Sequence, residues 1–350
     1  MRIIIIGTFP PPIHGMALMN QVLFERLKLD GWDVEKLDTS PQISFNPVFS
    51  KLSRIKIFFS IWGYLLNNDL TGSRVCLALS GGWGQVYDFV TVLLCRIKGA
   101  RCVLHHHSVV YLDKWQIITA LLFLAAGRKA VHIVLCQSMK NNLQKKYKCR
   151  EVVLLSNIAL SAHRDLQKKR NRLKTIGFLS NVTREKGGWE IIELADEIHK
   201  RGLPLKCKVA GPCLDSGLRH ALHNAHQRGV LEWTGPVFES AKLNFWNSLD
   251  AFIFPTRNEA EPLVVWEALL AGIPVIAYDR GCISVQVGDA GKIIPKDDNF
   301  VESALQQIGL WLRDPKLYKS CLQSIKRRRM VAVSSAENQW EEYIANLKAI

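Results

Sequence analysis

Short apolar strands alternate with helical patterns twice along this chain, and each series opens on a strand that runs directly into a ligand-type loop. The openings are Arg2-Ile-Ile-Ile-Ile-Gly7 and Thr175-Ile-Gly-Phe-Leu-Ser180. The first half continues with Arg74–Leu79, Arg101–Leu104, Ile133–Cys136 and Val152–Leu155, the second with Cys207–Ala210, Ala251–Phe254 and Val275–Ala277. Short apolar runs between helices are buried on both faces, which requires parallel sheets covered on both sides. The expected fold is therefore α/β, with two doubly wound, Rossmann-like domains over residues 1–160 and 175–335. The polar, basic segment 161–174 is read as the linker, and residues 336–350 as a terminal helix packing back toward the first domain. Ligands of such sheets bind beyond the carboxyl ends of the strands, so the site is expected in the cleft between the domains.

Within this frame, the stretch from Asn258 to Ala277 is unusual because it places two carboxylates, Glu259 and Glu267, around the start of an almost wholly apolar helix. Pro262 suits the first helical position, and Gly272 with Pro274 stops the helix before a strand. Residues Leu263 to Ala271 are otherwise apolar on every side, the pattern of a buried helix, which predicts a buried Glu267. A buried carboxylate costs several kcal/mol unless something bonds to it. That partner is either a ligand or a buried cation. Glu259 and Glu261 also sit where a helix dipole favours negative charge, and this reading is preferred for Glu261.

These residues resemble the Glu-x7-Glu signature of retaining glycosyltransferases of family four, which have the GT-B fold of two Rossmann-like domains. The resemblance implies that Glu259 is the sugar-side glutamate and Glu267 the ribose ligand, with Pro262, Leu263 and Val264 lining the diphosphate. A helix N-terminus is a ready anion site, so the physics agrees with the assignment.

Other loops carry the same resemblance. Thr8-Phe-Pro-Pro-Pro-Ile-His-Gly-Met-Ala17 is similar to the family's Pro-Pro-x-x-Gly-Gly loop, with His14 where the first glycine is usual, which leaves Gly15 as the phosphate neighbour. The strand Arg101–Leu104 runs into three histidines. If the strand continues, His105 and His107 share one face and His106 takes the other, a poor tridentate metal site. The family's histidine after this strand touches donor sugar and phosphate, and alignment on the His-Ser pair selects His107. Leu179–Gly188 looks like the family's Gly-Arg-Leu-x-x-x-Lys-Gly motif, which implies a diphosphate role for Lys186. The usual arginine is Asn181 here, and Arg184 is near enough to substitute. Gly281 resembles part of a loop facing the sugar, although its usual Pro-Glu is missing. Asn157 and Gly211-Pro212 fit the same register.

Charge narrows the partners. The net charge is +15, and residues 1–165 hold 20 of the 46 Lys+Arg but only 10 of the 31 Asp+Glu. A basic first half favours an anionic partner. Nucleic acid is not expected, since no zinc-finger spacing, RNP-type sequence or aromatic-interleaved glycine-rich tract is present. Two stretches, Lys51–Tyr64 and Trp115–Ala126, are open to two readings, helices lying in an anionic membrane interface or core helices with solvated ends. No apolar run reaches ~18 residues, the N-terminus reads as a strand rather than an export signal, and nine cysteines without C-x-x-C spacing read as reduced core thiols. A cytoplasmic protein, peripheral on the inner membrane face, is the expectation.

The resemblance implies a retaining transferase of the hexosyltransferase class that takes a nucleotide-diphosphate sugar as donor and a saccharide or lipid-linked saccharide as acceptor, in surface polysaccharide or lipopolysaccharide synthesis. No Asp-x-Asp pair is present, so helix N-termini, Lys186 and Arg184 are expected to hold the diphosphate with no metal and no cofactor. The rival readings are a sugar-nucleotide epimerase or phosphorylase of the same architecture, and a basic binding protein with an inactive nucleotide site.

Overall fold

The computed structural model describes residues 2–11, 14–40, 47–160 and 170–349. They form two compact units, Met1–Ala162 with Ser335–Ile350, and His163–Ser334. Each is built on a six-stranded parallel sheet. In the first unit the strands are β1 (Arg2–Gly7), β2 (Asp33–Asp38), β3 (Arg74–Leu79), β4 (Arg101–His106), β5 (Val131–Val134) and β6 (Val152–Leu154), in the order β2-β1-β3-β4-β5-β6. The second contains β7 (Thr175–Leu179), β8 (Lys206–Ala210), β9 (Glu232–Trp233), β10 (Ala251–Phe254), β11 (Val275–Tyr278) and β12 (Gly291–Ile294), in the order β12-β11-β10-β7-β8-β9.

Sequence chemistry explains the interior of each sheet. Four consecutive β-branched residues, Ile3 to Ile6, are at most 1% exposed, and Ile4 pairs with Val75 on one side and Glu35 on the other. Such a strand is stable only with helices over both faces. The expected strands all form, with shifts of one or two residues at their ends; β4 runs on to His106 and β5 begins at Val131. Three further strands, β2, β9 and β12, were not expected, and all three are sheet edges. Edge strands bury less, so β2 fully buries only Val34 and β9 is only two residues long.

Residues 161–169 lie outside the described residues, but Arg170 is buried and anchored to the second unit. Its Nε donates to the Leu249 carbonyl at 2.8 Å, Nη1 to Ala271 at 2.6 Å and Nη2 to Trp246 at 3.2 Å. The planar guanidinium gathers three carbonyls of the second unit with its fork of N–H donors. Asp250 accepts from the backbone N–H groups of Lys174 and Thr175, both at 3.0 Å, so the segment just before β7 is part of the second unit.

The terminal helix is also longer than expected and runs from Pro315 to Ala349. Trp340, Tyr343 and Leu347 form its buried stripe in the first unit. Trp340 donates to Asp30 at 3.0 Å, Tyr343 meets the Cys76 sulfur at 3.6 Å, and Arg74 donates to the Leu347 carbonyl at 3.2 Å. Cys76, Cys95, Cys102, Cys149, Cys207, Cys213 and Cys321 are free thiols, and burial pushes Cys76 up to about 11 and Cys207 to about 12. Thiols so shifted are poor nucleophiles.

Candidate active site

In the second unit, two loops that leave parallel strands meet. The loop after β7 turns through Thr183, whose hydroxyl accepts from the Lys186 N–H at 3.2 Å, and ends at Gly187 with φ of +85°. A side chain at Gly187 would collide with Pro255, at the start of the loop after β10, and Arg257 donates its N–H to the Glu185 carbonyl at 2.8 Å. This backbone contact sets Lys186 beside the second loop. Its ammonium donates to the Asn258 carbonyl at 3.3 Å and pairs with the Glu259 carboxylate. Burial pushes the Glu259 carboxyl up, while Lys186 pulls it the other way.

Gly281 joins the same cluster from the loop after β11. Its φ is +53°, and a Cβ there would run into the carbonyls of Glu259 and Ala260. The next N–H, that of Cys282, donates to the Ala260 carbonyl at 2.7 Å. Lys186, Glu259 and Gly281 are thus brought together by three separate loops at the carboxyl ends of β7, β10 and β11. Arg184 is exposed, and its backbone carbonyl accepts from Gly187 at 3.1 Å.

The helix after this loop spans Leu263–Leu270, with Pro262 as its N-cap rather than its first residue. It is not buried all round. Leu263, Val264 and Glu267 form one half-exposed stripe, and the Glu267 side chain keeps 31% of its exposure. The apolar pattern therefore overstated burial, because an apolar stripe facing open space looks the same in sequence as one facing a core. Glu267 accepts from Lys242 at 2.6 Å and from the Trp246 indole at 3.2 Å. Glu261, directly before the N-cap, is a buried carboxylate, 5% exposed and bonded by the Trp266 indole at 2.9 Å. Gln286 holds the Pro262 carbonyl at 3.1 Å. Lys242, Trp246 and Gln286 were missed by sequence reasoning, and the only available signal was the helical i, i+4 spacing of the first two.

In the first unit, the end of β4 and the residue after it divide their histidines as alternation predicts. The rings of His105 and His107 lie 4.1 Å apart, whereas His106 meets the Tyr111 hydroxyl at 3.0 Å and His132 at 3.1 Å. Burial pushes His107 down to about 4, with a smaller contribution from His14, so its imidazole is neutral near pH 7. Its Nε2 is buried without a hydrogen-bond partner among the described residues. His14 caps the helix Gly15–Leu29 by accepting from the Ala17 N–H at 3.3 Å, which gives this departure from the glycine pattern a structural use and leaves Gly15 exposed at the helix start.

Comparison with known proteins bears on the fold. The family model for Glycosyl transferases group 1 matches residues 161–328. The capsular polysaccharide biosynthesis glycosyltransferase CapM of Staphylococcus aureus is 25% identical over 175 residues, a match that spans 48% of this chain and 44% of CapM, less than half of that relative's length. Sucrose-phosphate synthase from Thermosynechococcus elongatus is similar in structure with a TM-score of 0.75 at 14% identity, over 99% of both chains. HepE from Anabaena, solved with UDP, gives a TM-score of 0.64 at 15% identity, over 99% of this chain and 100% of that one. The chain therefore has the GT-B glycosyltransferase fold, with a region similar to glycosyl transferases group 1 at residues 161–328.

Proposed function

We propose that the chain is a retaining glycosyltransferase that moves a sugar from a nucleotide-diphosphate sugar to a saccharide or lipid-linked saccharide acceptor during surface polysaccharide synthesis. The observation that carries this reading is the Lys186–Glu259 pair, held where three loops converge beside the start of the Leu263–Leu270 helix. The bound UDP of HepE and the capsular role in CapM's name support the donor and pathway class.

In this reading the diphosphate lies against the N–H groups of Leu263 and Val264, beyond Pro262, and Lys186 leaves Glu259 to meet it. Negative charge grows on the leaving phosphate as the glycosidic bond breaks, so a fixed ammonium there stabilises the transition state more than the bound donor. Arg184 is the second cation. Glu259 then faces the sugar, and Gly281 lets the backbone approach it. Glu267, bonded on each oxygen but still part-exposed, takes the ribose hydroxyls with its remaining lone pairs. The family resemblance assigns His107 a contact to the donor sugar and Gly15 one to the phosphate. Departure and attack on one face of the sugar give retention. Diphosphate binding through helix ends and cations needs no metal or cofactor. The protein works in the cytoplasm, on the inner face of the membrane.

A hydrolysis screen over UDP-, GDP- and ADP-sugars tests this reading. One donor should be cleaved with EDTA present, and Lys186→Ala should slow it. Cleavage of none, or activity lost in EDTA and restored by manganese or magnesium, contradicts the donor and metal-free assignments respectively.

A further inference from the structure

We propose that Gln286 and Arg328 are positioning residues that act in series on the helix start where the diphosphate of the donor is read to bind. The proposal rests on that donor reading and names the groups that hold the helix start in place.

The helix Leu263–Leu270 starts at Pro262, an N-cap with no side-chain bond into the first turn. A serine or aspartate cap would both occupy an N–H group and fix the turn. Proline does neither, which leaves the first N–H groups open to an anion and leaves the turn to be anchored from elsewhere.

The anchor is the short helix Ile283–Val287. The Cys282 N–H, at its N-cap, donates to the Ala260 carbonyl at 2.7 Å, and the Gln286 side-chain amide donates to the Pro262 carbonyl at 3.1 Å. The Gln286 N–H in turn donates to the Cys282 carbonyl at 2.8 Å, so the two anchors lie one turn apart on a single helix. The loop is gripped on both sides of Glu261.

Arg328, from the terminal helix Pro315–Ala349, braces the short helix at its other end. Its Nε donates to the Gln286 carbonyl at 3.0 Å, and a Cβ added at Gly288, which caps the short helix with φ of +49°, would meet the guanidinium carbon at 3.2 Å. A cation bonded to a carbonyl at a helix C-terminus meets the negative end of the dipole. Burial lowers the Arg328 pKa, with Asp289 acting against it, and a guanidinium stays charged under such a shift.

Gln286 is 1% exposed, and its amide has one orientation open to it, because the Pro262 carbonyl only accepts. That leaves Oε1 buried without a hydrogen-bond partner among the described residues. A leucine would fill the space without stranding an acceptor, so the use of the amide lies in its bond to the helix start.

Binding of UDP, GDP and ADP, and of their nucleosides, to the full chain tests the proposal. For a diphosphate that binds wild type, Gln286→Leu should weaken affinity about tenfold and Arg328→Met about threefold, while affinity for the matching nucleoside changes less than about twofold. Arg328→Lys, which can still donate to the Gln286 carbonyl, should bind within about twofold of wild type. In the double variant the loss should equal that of Gln286→Leu alone. Equal losses for nucleoside and diphosphate, unchanged diphosphate affinity, or losses that multiply in the double variant each overturn the proposal. Hydrogen exchange over residues 259–270 needs no nucleotide. Both single variants should speed it about tenfold and leave the helix Gly188–Lys200 of the same unit unchanged; no change, or an equal change in both segments, overturns the proposal. Arg328 is only half-buried, so Arg328→Met carries both measurements if Gln286→Leu does not fold. A wild type that binds none of the three diphosphates contradicts the donor reading alone, and the exchange result then decides the positioning role.

Discussion

At the scale of single residues, the two carboxylates of the site differ in how they are held. Glu259 shares its cation with the loop it sits in, whereas Glu267 is bonded by the Lys242 ammonium and the Trp246 indole. If Glu267 holds the ribose, Glu267→Gln should weaken binding of nucleotide and nucleotide-sugar by about 1–3 kcal/mol while folding survives, the usual loss for charge-assisted bonds. Titration calorimetry with the active donor measures this, and an unchanged affinity removes the ribose role. Lys186 should behave differently. Lys186→Ala should lower kcat more than it weakens binding of the nucleoside diphosphate, because the ammonium matters most as charge develops on the leaving group. Equal losses in both would place Lys186 in ground-state binding alone.

At the scale of elements, the site depends on loops pressed together at glycines. Gly281→Ala would force a Cβ into the carbonyls of Glu259 and Ala260 in a left-handed conformation that by itself costs about 1–2 kcal/mol. The variant should melt lower and bind donor more weakly; a melting curve and donor affinity both equal to wild type would mean that these loops are not held as described. The legible parts of the chain were those whose residues have one physical use. Ile3 to Ile6 can only be an interior strand, and Gly187 and Gly281 fall in loops where a Cβ has no room. The edge strands β2, β9 and β12 escaped notice because edges bury little and keep polar residues. Glu267 was expected to be buried because an apolar stripe facing open space reads like core. Its partners Lys242 and Trp246 come from the helix Glu239–Ser248, and no local pattern announces a contact between elements.

At the scale of the whole molecule, buried histidines should make the chain acid-sensitive. Burial pushes His132 and His107 down to about 4 and places His105 and His106 well below their ordinary value. Their folded pKa values lie below the unfolded one near 6.5, so the stability they contribute is complete above about pH 6.5 and is lost as pH falls toward 4. Asp88 opposes them, since burial raises it to about 7 and its contribution grows as pH falls. His14 is lowered as well and Glu259 raised, so five imidazoles against two carboxyls should give a net loss. Equilibrium denaturation between pH 7 and 4 should show it, and His132→Gln should be shallower than wild type by up to about 1.4 kcal/mol per pH unit, the value of one proton. Parallel curves for the two proteins would mean that His132 titrates normally. Retention is read out by NMR of the product formed from an anomerically pure nucleotide-sugar in the presence of EDTA. The transferred or released sugar should first appear with the donor's anomeric configuration, at a rate greatly reduced by Lys186→Ala; an inverted product, or no turnover of any nucleotide-sugar, would rule out a retaining glycosyltransferase.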